Sequence, residues 1–317
     1  MHPEIFRVGK VVVHSYGTML ALAFLTGMFL LHRHANRVPG LKRDRVVDCV
    51  LFILVPSLAG ARLLYVLLNL DQFASFSDAL AVQKGGLSFH GGLLGGMAGL
   101  ALFCRFYRIS FLPLVDAVAP SAAIGYAITK IGCFLNGCCI GRPTDLPWGV
   151  CFPDPEAGSR SVLTPPSHPA QIYDAILNVL LGLALLRALR RKRFHGQTFF
   201  LYLVLYSAIR FAVECFRKGV SGQIMFTGEA LGREAEQTPM LGWPPTQAQL
   251  ASILVIVVFG LMYLILLARA PKEPLPLPEP PDSNKEEPTR KANPDRKTRR
   301  RKDRRARRRR DAKSREP

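Results

Sequence analysis

Apolar residues form long, almost uninterrupted runs in this chain, and polar residues are concentrated between the runs. A helix needs about 20 predominantly apolar residues to cross the hydrocarbon core of a membrane. The pattern therefore predicts an all-α, polytopic integral membrane protein with about seven transmembrane helices. The predicted helices are Val11–Leu31, Val46–Leu68, Leu87–Cys104, Phe111–Lys130, Ala170–Leu189, Thr198–Phe216 and Gln249–Ala268.

Basic residues are distributed unevenly among the loops between these helices. The loops after the first, third and fifth helices are rich in lysine and arginine, whereas the other loops are poorer in them or contain balancing acids. Short basic loops stay on the cytoplasmic side of a membrane. We therefore expect the N-terminus outside and the C-terminus in the cytoplasm.

Most of the positive charge follows the last apolar run. The formal net charge is +19, and residues 290–317 alone contribute +12. A Pro-rich and then Arg-rich segment of this kind cannot bury a core. We therefore divide the chain into a transmembrane domain at 1–270 and a disordered cytoplasmic tail at 271–317. Anionic lipid head groups are the expected partner of the tail, because a run of charge does not indicate a specific nucleic acid.

The sixth predicted helix has a polar face. At 100° per residue, Tyr206, Arg210, Glu214 and Arg217 point to about 0°, 40°, 80° and 20° on the helical wheel. Arg210 and Glu214 are four residues apart and can neutralise each other. Two arginines against one glutamate also leave an excess of positive charge, which favours an anionic ligand such as a phosphate. Ionisable groups inside a membrane span usually face a polar cavity.

Two further segments carry candidate chemistry. Lys130 is followed within a dozen residues by Asn136 and several glycines, including Gly141, and such a segment can turn and present N–H groups to an anion. His90 precedes a series of glycines spaced four residues apart, a spacing that favours close helix packing. An imidazole can act as a general base at neutral pH, so His90 is a candidate base, although a structural role is the alternative.

Four cysteines are predicted near the outer face, namely Cys133, Cys138, Cys139 and Cys151. An oxidising compartment permits disulfides there, so we expect a disulfide among them. Free buried thiols and a metal site are the alternatives, and the spacing is not a strong zinc pattern.

The order of several motifs resembles the bacterial prolipoprotein diacylglyceryl transferases over nearly the whole membrane domain. The motifs are His14-Ser15-Tyr16-Gly17, Gly60-Ala61-Arg62 with Tyr65, Ser88-Phe89-His90-Gly91-Gly92, Asp116 fourteen residues before Lys130, His168-Pro169-Ala170-Gln171-Ile172-Tyr173-Asp174, and Tyr206, Arg210, Glu214 and Arg217.

This chain departs from the family in the signature Gly-Arg-Ile-Gly-Asn-Phe-x-Asn-Gly-Glu-x-x-Gly-Arg. The leading arginine is Lys130, the first asparagine is Cys133 and the glutamate is Cys138, whereas Asn136 and Gly141 are retained. Lysine keeps the charge but lacks the bidentate guanidinium that grips a phosphate. A weaker or altered activity is therefore expected.

The resemblance implies a transferase of the bacterial cytoplasmic (inner) membrane. Its substrates would be phosphatidylglycerol and the lipobox peptide of a prolipoprotein. The thiol of the lipobox cysteine would take the diacylglyceryl group as a thioether and release glycerol phosphate, without a metal or organic cofactor. The alternatives are a transferase with a different lipid donor or acceptor, a non-catalytic paralogue that binds lipid, and, more remotely, a transporter.

The resemblance also implies roles for individual residues. Arg210 and Lys130 would clamp the phosphate, and His90 would be the base or a proton relay. Glu214 would orient Arg210. The remaining substrate-binding residues would be Tyr16, Asn136, Gly141 and Tyr206.

Overall fold

The computed structural model of the chain describes residues 4–8, 11–70, 73, 86–154, 162–217 and 246–276. These residues form one antiparallel hairpin, of β1 (Glu4–Val8) and β2 (Val11–His14), and a bundle of α-helices. The helices are α1 (Ser15–His34), α2 (Val46–Leu68), α3 (Phe89–Tyr107), α4 (Phe111–Asn136), α5 (Ala170–Arg190), α6 (Gln197–Glu214) and α7 (Gln247–Arg269).

The prediction of an all-α, polytopic membrane protein is confirmed. Within the described ranges, six helices are long and apolar enough to span a membrane. The remaining helix, α6, has 18 residues and contains the polar residues Gln197, Arg210 and Glu214. The orientation stays a prediction, and we call the end of the bundle at which α4 and α6 end the predicted outer face.

Several predicted boundaries are wrong. Val11–His14 forms a strand instead of the start of α1, because a run of β-branched valines favours extended backbone that pairs with β1. Helix α4 continues past Lys130 to Asn136, so the lysine lies inside the helix. Helix α6 ends at Glu214, so Arg217 lies beyond it. The part of the predicted tail from residue 277 onward lies outside the described residues.

Helices α2 and α3 pack in direct backbone contact. A Cβ on Gly91 would overlap with the backbone of α2, a Cβ on Gly95 with the carbonyl oxygen of Pro56, and a Cβ on Gly99 with that of Phe52. Small residues at this spacing let helices in a membrane approach closely, where dispersion contacts replace the missing hydrophobic driving force. The close packing predicted from the glycine spacing is confirmed.

Helix α4 is the most deeply buried of the helices and packs against α1, α5 and α6. The fully buried carboxylate of Asp116 anchors its first turns, accepting hydrogen bonds from Lys192 Nζ at 3.1 Å, the Gly196 N–H at 2.8 Å and the Phe199 N–H at 3.0 Å. At 1.5 Å per residue, Asp116 lies about 21 Å along the helix from Lys130. Asp116 is therefore a structural anchor at the opposite end of the bundle from Lys130.

The contact between α2 and α3 can be tested with adjacent glycines. Gly95→Ala should lower the free energy of unfolding by about 1–3 kcal/mol, because the added methyl group must displace the backbone of α2. Gly96→Ala is the matched control, since its nearest neighbour would be Ser57 Cβ at an ordinary 3.6 Å. Thermal unfolding of both variants in detergent, followed by circular dichroism, measures the difference. Equal midpoints for the two variants would contradict the described packing.

Candidate active site

Lys130 forms a buried ion pair between α4 and α5. Its Nζ lies 3.0 Å from Asp174 Oδ2, and the two side chains are only 9% and 2% exposed. A buried pair is tolerated when further hydrogen bonds satisfy both groups. The Tyr126 hydroxyl donates to Asp174 Oδ2 at 3.1 Å, and Asn178 Nδ2 donates to Asp174 Oδ1 at 2.9 Å. The carboxylate is thus held by three groups, and Lys130 is fixed in position beside it.

Tyr126 connects this ion pair to α6. Lys130 Nζ lies 5.0 Å from the centroid of the Tyr126 ring, a favourable arrangement of a cation over an aromatic face. The same ring meets Tyr206 edge-on, with centroids 5.4 Å apart. Arg210, one helical turn after Tyr206, lies close enough to act electrostatically on the Tyr126 hydroxyl. Lys130 and Arg210 are therefore linked through the partly buried Tyr126 and its neighbour Tyr206.

Arg210 pairs with Glu214 on the next turn of α6, as the spacing suggested. A guanidinium nitrogen of Arg210 donates to Glu214 Oε2, and the glutamate is buried whereas the arginine is 22% exposed. A guanidinium has five N–H donors, so this pair leaves donors for an anion. The expectation that Arg217 shares the helical face is wrong, because the helix has ended. The Arg217 carbonyl instead accepts a hydrogen bond from Arg142 Nε at 3.2 Å.

Positive charge exceeds negative charge in this region of the described structure. Four cationic side chains lie here with two carboxylates, and each carboxylate already pairs with one cation. The cations are Lys130, Arg142, Arg210 and Arg217, and the carboxylates are Asp174 and Glu214. Lys130 and Arg210 keep N–H donors beyond those that the carboxylates use, and such donors favour an anionic ligand.

Two buried amide oxygens beside the ion pair lack a hydrogen-bond donor among the described residues. They are Oε1 of Gln171 and Oδ1 of Asn178, whose amide nitrogens donate to the Cys138 carbonyl oxygen and to Asp174. Buried polar atoms are rarely left unpaired in native structures. Both oxygens are thus available to a ligand hydroxyl.

The segment after α4 is held against the start of α5 and the end of α6. The Gly141 N–H donates to the His168 carbonyl oxygen at 3.2 Å, and the Arg142 N–H donates to the Phe216 carbonyl oxygen at 2.9 Å. A Cβ on Gly141 would overlap with the His168 carbonyl oxygen, so glycine is required there. His168 packs against Tyr173 and Phe216, and burial lowers the pKa of its ring, which keeps it neutral at pH 7.

Three cysteines meet at the end of α4. The Sγ atoms of Cys133, Cys138 and Cys139 lie within 4.8 Å of one another, and the described cysteines, including Cys151, are all free thiols. The disulfide expected from the sequence is therefore absent from the described structure. The Cys138 thiol donates to the Cys133 carbonyl oxygen at 3.6 Å. The neighbouring thiols of Cys133 and Cys138, together with the charges of Lys130 and Arg217, lower the pKa of Cys139.

The predicted head-group residues surround the end of α4. Tyr16 lies in the first turn of α1, and its Cα would be 3.4 Å from a Cβ placed on Gly132. Asn136 is the last residue of α4, and its side chain reaches the Cys138 thiol. With Gly141, these residues lie at the predicted outer face, above the ion pairs of Lys130 and Arg210.

His90 is not brought to this cluster. It lies in the first turn of α3, is exposed, and contacts the Phe89 ring edge-on with centroids 5.8 Å apart. Among the described residues, its ring makes no hydrogen bond to Lys130, Arg210 or their partners. The structure therefore groups Lys130, Arg210, Tyr206 and Glu214 and leaves His90 on the neighbouring pair of helices.

Sequence reasoning missed the partners of Lys130. Asp174 lies inside a predicted transmembrane helix, and an intramembrane carboxylate is by itself a signal of a functional site. Gln171 was noted only as a member of the family motif that contains Asp174. Tyr126 and Asn178 gave no comparable signal, because polar uncharged residues are common in such helices. Their roles follow from the crossing of α4, α5 and α6, which the sequence does not specify.

Comparisons with known proteins show which family the chain belongs to. The chain matches the family model described as prolipoprotein diacylglyceryl transferase over residues 3–266. Three curated relatives carry the name phosphatidylglycerol–prolipoprotein diacylglyceryl transferase. The protein of Geobacter sulfurreducens is 38% identical over 68% of this chain and 82% of its own length. That of Acaryochloris marina is 35% identical over 68% and 79%, and that of Clostridium tetani is 32% identical over 71% and 88%. This chain belongs to the prolipoprotein diacylglyceryl transferase family.

Proposed function

We propose that this protein transfers the diacylglyceryl group of phosphatidylglycerol to the lipobox cysteine of prolipoproteins in the bacterial cytoplasmic membrane. The relatives are named for this reaction. The observation that carries the proposal is the two ion-paired cations, buried Lys130 and half-buried Arg210, on helices linked by the contact of Tyr126 with Tyr206. They lie at the predicted outer end of a membrane bundle, where a phospholipid and a peptide can both enter.

The reaction explains the need for two cations. The thiolate of the acceptor attacks the glycerol carbon, a C–S bond forms, and the C–O bond to the phosphate breaks. The electron pair of that C–O bond leaves with glycerol phosphate, so negative charge grows on the phosphate. Donors fixed in place stabilise such charge most effectively in a water-poor site. Lys130 has donors beyond the one used by Asp174, and Arg210 has donors beyond the one used by Glu214.

The surrounding residues suit the head group. Glu214 fixes the guanidinium of Arg210, and Tyr206 packs beside Tyr126 to close the apolar side of the site. The free amide oxygens of Gln171 and Asn178 can accept hydrogen bonds from the glycerol hydroxyls. Tyr16, Asn136 and Gly141 would line the mouth. His90 is proposed as the base or a relay on the sequence resemblance, which is its only support.

The Arg-rich tail is proposed to bind anionic lipid head groups. A peptide of residues 290–317 should bind vesicles that contain phosphatidylglycerol and detach as salt rises, since each basic residue near such a surface contributes about 1 kcal/mol. Co-sedimentation with neutral phosphatidylcholine vesicles is the control. Equal binding to both kinds of vesicle would contradict an electrostatic tether.

The central experiment is an assay of purified protein with phosphatidylglycerol and a lipobox peptide, with the thioether adduct measured by mass spectrometry. Arg210→Ala should lower the rate at least about 100-fold, because a donor to the departing phosphate is lost. Arg187→Ala, which removes an exposed arginine from the other end of α5, is the matched control and should keep the wild-type rate.

The His90→Gln variant in the same assay should lose rate at neutral pH and regain it at high pH, where the acceptor thiol ionises without a base.

Each result of this assay bears on a different part of the proposal. A folded, lipid-bound protein that forms no adduct with any phospholipid would be a lipid-binding paralogue. Adduct formed only with another head group would identify a different donor. A His90→Gln variant with the wild-type rate at every pH would remove His90 from the mechanism.

The structural and catalytic parts of Lys130 can be separated with its partner. Lys130→Met should cost about 3–5 kcal/mol of unfolding free energy, because Asp174 stays buried without a counter-charge. The double variant Lys130→Met/Asp174→Asn removes both charges and should recover most of this loss, yet remain inactive. Unfolding in detergent and the adduct assay provide the two readouts. A double variant with normal activity would show that Lys130 does not bind the phosphate.

A further inference from the structure

The cluster of three thiols at the end of α4 has no part in the chemistry described above. The Sγ atoms of Cys133, Cys138 and Cys139 all lie within 4.8 Å of one another. Cys133 is buried, Cys138 is partly exposed and Cys139 is exposed. The cluster is thus closed on the side of the helix bundle and open on the other side.

The backbone turns sharply to bring these thiols together. Gly137 and Cys139 both have left-handed backbone, with φ of 76° and 61°. This turn directs the Cys138 N–H to the Cys133 carbonyl oxygen at 3.1 Å. A left-handed conformation is uncommon for a residue other than glycine, and such strain concentrates at functional sites. The turn therefore stores strain in the arrangement that gathers the cysteines.

Neighbouring elements hold the turn in place. The buried side chain of Gln171 donates from Nε2 to the Cys138 carbonyl oxygen at 2.6 Å. The N–H of Gly141 is tied to His168, and that of Arg142 to Phe216. The three thiols thus project from a frame fixed by α4, α5 and the end of α6, as a preorganised ligand set requires.

The spacing of the thiols fits a thiophilic metal ion. Zinc binds thiolate sulfur at about 2.3 Å in tetrahedral geometry, which places neighbouring sulfurs about 3.8 Å apart. Small side-chain rotations would close the described spacing to that value. Soft thiolate ligands select zinc and monovalent copper over harder cations. Three protein ligands with one vacant position are the arrangement of catalytic zinc sites.

The position of the cluster suggests what the vacant site would hold. Cys133 lies three residues after Lys130 on α4, so the two side chains leave the helix on neighbouring parts of one face, about one turn apart. At the proposed mouth, the Asn136 side chain reaches the Cys138 thiol, and Tyr16 packs against Gly132, the residue before Cys133. A ligand entering from the exposed side of Cys139 would therefore approach the proposed phosphate clamp.

We infer that Cys133, Cys138 and Cys139 bind Zn²⁺ and that the vacant fourth position binds the thiolate of the acceptor cysteine. The second part rests on the proposed transferase function. Binding to zinc would make the acceptor's thiol acidic, since a coordinating thiol is deprotonated, and its proton would leave to water or through the relay proposed at His90. The bound sulfur then forms the C–S bond as the C–O bond breaks, and glycerol phosphate leaves with the electron pair.

Zinc content tests the first part without reference to activity. Full-length protein, purified reduced in detergent and dialysed against zinc, should hold about one zinc per chain. Cys133→Ser/Cys138→Ser/Cys139→Ser should hold at least about tenfold less, and zinc should raise the unfolding temperature of the wild type alone. Cys139→Ser is the second variant if the triple variant fails to fold, and Cys151→Ser is the matched control.

Three results would overturn the zinc site. One is equal zinc in the wild type and Cys139→Ser. Another is a disulfide among the three cysteines in the non-reduced protein, found by mass spectrometry of its peptides. The third is uptake of Cu⁺ in place of zinc, because three thiolates complete the coordination of that ion and leave no acceptor position.

Cobalt substitution tests the second part. A lipobox peptide with its cysteine should strengthen the sulfur-to-cobalt charge-transfer absorption of the Co²⁺-loaded protein, whereas the same peptide with serine should leave it unchanged. Identical spectra with both peptides would exclude acceptor binding at the metal. If adduct forms equally well without zinc, the metal's role in the reaction fails and the transferase function stands. If zinc binds but no adduct forms with any donor, the proposed function fails and the metal site stands.

Discussion

The buried ion pair between Lys130 and Asp174 is the interaction on which the site depends. A charge removed from water in a membrane bundle is tolerated only with a counter-charge and hydrogen bonds around it. Tyr126 and Asn178 complete that set, so two successive helices, α4 and α5, are fixed against each other at the level of the lysine. The ammonium group is consequently held in place before any ligand arrives, and electrostatic catalysis requires such preorganisation.

Helix α4 links this pair to the rest of the bundle. Its other end is anchored through Asp116, which ties the helix to the start of α6 and to Lys192. Each end of α4 is thus held by a buried carboxylate–lysine pair. The Asp116–Lys192 pair is structural, and the Asp174–Lys130 pair lies beside the proposed reaction. Helices α2 and α3 form a separate pair through glycine contacts and carry His90. The division explains why His90 lies apart from the two cations.

Much of the fold could be predicted because hydrocarbon thickness fixes the length of an apolar run. The bounds of α2 match the predicted helix, and those of α5 differ by one residue. The strand at Val11–His14 was missed because its three valines are apolar enough for a membrane helix and, being β-branched, are equally suited to a strand of a hairpin. The Arg210–Glu214 pair was predictable from spacing within one helix, whereas the Lys130–Asp174 pair joins two helices and depends on their packing. The meeting of three cysteines depends on the left-handed turn at Gly137 and Cys139, which hydrophobic periodicity does not encode.

The most direct test of the central claim is an experimental structure of the protein with bound phosphatidylglycerol, determined by electron cryo-microscopy. The account predicts that phosphate oxygens lie at about 2.7–3.2 Å from Lys130 Nζ and from a guanidinium nitrogen of Arg210. The Asp174 and Glu214 contacts would be kept, with the glycerol beside Gln171 and Asn178. A phosphate bound instead on the α2–α3 pair, near Arg62 and His90, would contradict it.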